Sequence, residues 1–257
     1  MRQQLWVALA LAVVQLVASA CGGASTLAMP SPNAAPAAPF VSTHFVFSYT
    51  TLDGANIGAT ASVVEAEYAR IIQDLGADAL PPVNVWLYAD HRDLEQAVAP
   101  VAGAIPSWAS GLATAQDQIH LMSPNHPAYA PYPRMVSNLV HEFAHCVSIH
   151  VNPRIPNNPR WLWESVAVYE AGQFVEPRTL PYMAAGTPPA FATLNSFENT
   201  FVYDVGYTIG EFIVARGGQA ALDRLVVNNG DVSATLGMSL SSFEQAWFEF
   251  VRNRYGI

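Results

Sequence analysis

One stretch limits the fold more than any other. Across residues 134–150 the apolar side chains of Met135, Val136, Leu139, Val140, Phe143, Ala144 and Val147 recur at helical spacing, and His141, Glu142 and His145 fall inside the same run. A helix built from this pattern carries polar groups into the interior along with its apolar face, so those groups need partners there. Residues four apart on a helix lie about 40° apart around the axis, which lets both imidazoles of H-E-x-x-H meet one metal ion.

The surrounding pattern is mixed. Residues 44–49 alternate in strand fashion. Residues 63–75 carry Val64, Tyr68, Ile71, Ile72 and Leu75 at helical spacing, closed by Gly76. Residues 83–88 read as a second strand after two prolines, residues 91–98 as a short helix behind Asp90, and residues 111–122 as a strand pair. A proline-rich loop over 123–133 leads into the motif helix. Beyond it, helices are expected over 161–171, 203–216 and 219–227, and Ser241-x-x-Glu244 reads as a capping box opening the last one. The expected fold class is therefore α+β: an N-terminal mixed sheet with helices, then a mainly helical C-terminal half, with a cleft between them near the motif helix.

The N-terminus reads as an address. Met1 and Arg2 precede an apolar run over 5–17 that ends in Ala18-Ser19-Ala20-Cys21, which resembles a bacterial lipobox. Residues 1–20 are thus expected to be a lipoprotein signal peptide, with ordinary cleavage after Ala20 as the alternative. Residues 21–39, with Pro30, Pro32, Pro36 and Pro39, read as an extended tether, and residues 40–257 as one domain. The implied location is the bacterial cell envelope, with the membrane reached through lipidated Cys21 only. No later run is apolar enough to span a bilayer, since 201–214 is interrupted by Asp204 and Glu211. Cys146 then has no disulfide partner and is expected to be a small buried core residue. The net charge is −9 and all 11 basic residues are scattered arginines, which argues against nucleic acid as a partner.

A hydrolytic zinc site takes three protein ligands and keeps one position open, so a third residue must come from elsewhere. A glycine three residues after the second histidine with a ligand three further on is one known arrangement, but Ser148 and Val151 stand there. The other source is a glutamate on a following helix. Trp161-Leu162-Trp163-Glu164-Ser165-Val166-Ala167-Val168-Tyr169 supplies one, with 18 residues between His145 and Glu164.

H-E-x-x-H, that interval, and W-L-x-E-[GS]-x-A-x-Y together resemble the gluzincin zinc peptidases, both the aminopeptidase N type and smaller bacterial peptidases of the superfamily. The resemblance implies a zincin-like fold, Zn2+ held by His141, His145 and Glu164, Glu142 as general base, and a peptide or protein substrate. Tyr203-Asp204-Val205-Gly206 is similar to the Tyr-x-x-Gly segment whose tyrosine stabilises the tetrahedral intermediate, which makes Tyr203 the expected donor and Tyr207 its competitor. Two departures matter. Residues 111–122 lack the glutamate that holds a free amine in aminopeptidase N relatives, which favours internal cleavage of a peptide paired along 118–122. Val168 stands where thermolysin-like enzymes carry a supporting acid, leaving Asn138 and Glu170 as candidates to orient a histidine. His120 and His126 are expected to be ordinary strand or loop residues. The rival expectation is an inactive, zinc-binding envelope lipoprotein that binds a peptide or partner.

Overall fold

The computed structural model describes residues 38–126 and 132–257. The expected signal peptide, Cys21 and the tether up to residue 37 lie outside the described residues. Five strands, β1 (Phe40–Val41), β2 (Phe45–Ser48), β3 (Val83–Tyr88), β4 (Gly111–Ala115) and β5 (Gln118–Met122), form one sheet in the order β1-β2-β3-β5-β4. The three central strands run parallel and both edge strands are antiparallel to their neighbours. Helix α1 (Ile57–Asp74) crosses from β2 to its parallel neighbour β3, and helix α2 (His91–Ala102) followed by β4 makes the crossover from β3 to β5, as parallel pairing requires. The fold is α+β, with a small mixed sheet first and helices after it.

β5 is not an edge. It lies between β3 and β4, so the pairing edge expected over 118–122 belongs instead to β4. The composition explains the order: Ile119, His120, Leu121 and Met122 are all buried, which suits an interior strand, whereas the small residues of β4 are each partly exposed. Helix α1 starts about a turn and a half before the expected 63, because Gly58, Ala59 and Ala61 extend the helix without marking its apolar period.

Helix α3 (Tyr132–Val151) carries the motif and is buried on every side from Leu139 to Ser148. Phe143 anchors it, with its ring centroid 5.2 Å from that of Phe45 on β2 and 5.3 Å from that of Tyr68 on α1. Cys146 is buried there as expected, its thiol donating to the Ala115 carbonyl at 3.3 Å. On the far side α3 packs on α4 (Arg160–Glu170).

The chain then passes a 3-10 turn (Pro177–Thr179), α5 (Pro181–Ala184) and α6 (Phe191–Leu194) before α7 (Phe201–Gly217), α8 (Gln219–Val227), α9 (Val232–Leu236) and α10 (Leu240–Tyr255). Helix α10 is capped by Ser239, whose hydroxyl accepts from the Ser242 amide at 3.1 Å, so the expected capping box at Ser241 and Glu244 is not what opens it. Helix α7 packs extensively on α4, where Gly206 and Gly210 leave no room for a side chain: a Cβ on Gly210 would lie 2.4 Å from Cβ of Tyr169. Among the described residues no helix is long and apolar enough to cross a membrane.

Candidate metal centre

Helical spacing puts His141 and His145 on the face of α3 that meets α4, and Glu164 projects from α4 between them. Nε2 of His141 lies 3.3 Å from Oε2 of Glu164, and Nε2 of His145 lies 3.5 Å from the same oxygen. One donor atom from each of the three residues falls within 4.8 Å of the others. The group is nearly sealed, with exposures of 6%, 4% and 6% for His141, His145 and Glu164.

The donor set fits a cation. Oε2 of Glu164 is buried without a hydrogen-bond partner, although it faces two imidazole nitrogens. A buried carboxylate oxygen left in this state is costly unless a positive charge or a donor meets it. Two neutral imidazoles and one carboxylate are also the ligand types that zinc accepts in open catalytic sites. Burial alone would raise the Glu164 carboxyl, but His141 and His145 overcome it and hold the group well below the usual carboxylate range. Burial lowers His145 to about 4, so its imidazole is neutral and able to ligate.

The outer support for His141 comes from a residue that periodicity did not flag. Nδ1 of His141 pairs with Oε1 of Gln173 at 2.9 Å, and an amide oxygen only accepts, so Nδ1 carries a proton and Nε2 is the nitrogen turned to Glu164. Burial disfavours the charged ring, but Glu164 and Glu142 raise it overall, so a metal at Nε2 would displace a proton. Gln173 is fixed in turn, because its amide nitrogen donates to Oδ1 of Asn138 at 2.8 Å and to Oγ of Ser137 at 3.2 Å. Helix α4 delivers this side chain through its C-terminal turn: Gly172 adopts φ +63°, and the Gln173 amide returns to the Val168 carbonyl at 3.0 Å.

Asn138 therefore supports His141 at one remove. Glu170 does not support it at all. Its carboxylate binds Arg70 of α1 at 2.5 Å and the amide of Gln219 at 3.2 Å, tying three helices together away from the histidines. His145 lies flat against Trp163, with ring centroids 3.8 Å apart and planes within 11°.

Glu142 reaches the start of β4, where the Ala113 backbone hydrogen-bonds it, and stays close enough to His141 and Glu164 to feel the charge of both. A Cβ on Gly111 would lie 2.8 Å from its Oε1, which accounts for glycine at that position. Burial pushes the Glu142 carboxyl up to about 7, countered in part by His141. The two acidic groups of the site are thus driven in opposite directions, one held ionised and one brought to titrate near neutral pH, a pattern suited to different roles.

Of the two tyrosines, Tyr203 is the one beside the metal group: its ring centroid lies 6.1 Å from that of His141. Burial and the nearby Glu164 raise its phenol well above the ordinary value, so it is a donor at neutral pH. Tyr207 packs instead on Tyr169 and Phe174, at 5.3 and 5.2 Å. His120 hydrogen-bonds Tyr88 at 2.8 Å inside the sheet, and neither it nor His126 belongs to the ligand group. No protein-family model matches this chain, and no curated protein matches it in sequence.

Proposed function

We propose that this chain is a zinc-dependent peptidase of the gluzincin type with a zincin-like fold, exported and held at the cell envelope through Cys21. The observation that carries the reading is the convergence of donor atoms from His141, His145 and Glu164 to within 4.8 Å, with Glu142 outside that group but near enough to interact with His141 and Glu164. A zinc ion held by those three residues supplies a Lewis acid that polarises a peptide carbonyl and acidifies water.

The remaining chemistry belongs to the protein. The β4 edge pairs with an extended peptide, holding its backbone beside Glu142. Glu142, one residue along α3 from His141, takes a proton from the attacking water and passes it to the departing amine. A carboxyl brought to about 7 is well matched to accepting and returning a proton near neutrality. The phenol of Tyr203 donates to the oxyanion as it develops. Gln173 keeps His141 in the tautomer that binds metal, and the near-complete burial of the group keeps bulk water from weakening these interactions. No glutamate is present on β4 or β5 to receive a free amine, which supports internal cleavage over removal of N-terminal residues.

The test compares wild type with Glu142→Gln for zinc content and for cleavage of casein and a peptide library. One zinc per chain is expected in both proteins, with cleavage reduced roughly 100- to 10,000-fold in the variant. Stoichiometric zinc without cleavage by the wild type would favour a binding protein instead.

A further inference from the structure

Arg160 opens α4, one helical turn before Glu164, and is 1% exposed. Its Nη1 donates to the carbonyls of Leu194 at 3.0 Å and Ser196 at 2.9 Å. Its Cζ lies 5.1 Å from the ring centroid of Phe197 and 5.5 Å from that of Tyr203. These contacts fix the plane of the guanidinium. The remaining edge, Nε and Nη2, is buried with no hydrogen-bond partner. These adjacent donors form the fork that matches a carboxylate, and a buried guanidinium needs an anion to offset the loss of water. Glu164 is placed to supply it, with Oε1 at 4.0 Å from Nε of Arg160, an ion-pair separation one small shift short of a hydrogen bond.

The two oxygens of Glu164 therefore have different surroundings. Oε2 faces the Nε2 atoms of both histidines at 3.3 and 3.5 Å, while Oε1 faces the arginine. Arg160 and Glu164 share one helix, so the relation between fork and carboxylate is built into α4 and does not depend on a loop. We propose that Arg160 is a positioning residue that engages Oε1 of Glu164 and so fixes Oε2 as the oxygen offered to the metal. The same guanidinium packs on Tyr203, so it also sets the spacing between Glu164 on α4 and the phenol on α7. This inference rests on the metal-centre reading and extends it to a residue outside the ligand set.

The test is a competition titration of apo wild type, Arg160→Lys and Arg160→Met with zinc and a chromogenic chelator, with near-UV circular dichroism to verify the fold. Both variants are expected to bind zinc ~10–100-fold more weakly, because a lysine keeps the charge but not the fork, and kcat on peptide should fall while KM stays within about twofold. Folded variants that hold zinc as tightly as wild type would overturn the proposal. So would unchanged zinc affinity with a raised KM, since Arg160 would then be contacting substrate.

If neither variant folds, X-ray absorption on the zinc-loaded wild type decides, with Glu164 bound through one oxygen expected and through two contradicting. Zinc bound in the expected order of affinities but no peptide cleaved would leave this inference standing and remove the peptidase reading. A folded wild type that binds no zinc would remove both.

Discussion

At the scale of single residues, the site works by giving chemically similar groups dissimilar surroundings. Glu142 and Glu164 are both buried carboxylates, yet only Glu164 has two imidazoles directly against it, and the two are driven in opposite directions. His141 and His145 differ in the same way, since Nδ1 of His141 is held by Gln173 and Nδ1 of His145 is buried without a partner. Gln173 is therefore the support whose loss should be felt most. Gln173→Ala is expected to weaken zinc binding ~10–100-fold with the fold intact, measured by chelator competition, and Asn138→Ala should act in the same direction by a smaller factor.

The grouping of His141, His145 and Glu164 was legible in the sequence, because helical spacing puts both histidines on one face and the interval of the family the chain resembles pointed to Glu164. Gln173 was not legible. Its place depends on how α4 ends at Gly172, and the chain reversal there leaves no periodic signature.

At the scale of elements, the group of His141, His145 and Glu164 exists because α3 and α4 approach closely and α7 packs on α4. The α4–α7 contact depends on two missing side chains. A Cβ on Gly206 would lie 3.2 Å from the Ser165 backbone, and one on Gly210 would meet Tyr169 at 2.4 Å. Alanine has the higher helix propensity by about 1 kcal/mol, but at position 210 the steric conflict outweighs it. Gly210→Ala is expected to destabilise the protein by ~1–3 kcal/mol in urea unfolding. Gly58→Ala in α1 provides the contrast, because its Cβ would make an ordinary 3.8 Å contact with Phe40, and a gain of about 0.5–1 kcal/mol is expected.

Helix types and strand segments were readable from local period, with the starts of α1 and α10 misplaced by weak or competing local signals. Strand order was not readable in this way, since pairing joins distant segments. The expected edge at 118–122 proved to be interior. The fully buried composition of β5 and the small residues of β4 were the signal that could have decided it.

At the scale of the whole molecule, the sheet-bearing half contributes Glu142's neighbourhood and the helical half contributes Glu164, Arg160 and Tyr203, so the site assembles only when the two halves are joined through α3. Metal binding by the proposed ligands would therefore report on the complete fold, because the side chains from α3 and α4 converge only after both helices are packed. The most direct measurement is zinc content and X-ray absorption of the purified protein, set against Glu164→Ala. One zinc per chain, bound by two imidazoles and a carboxylate, is expected, with affinity lost when Glu164 is removed. A correctly folded wild type without stoichiometric zinc, or zinc held equally well after Glu164→Ala, would contradict it.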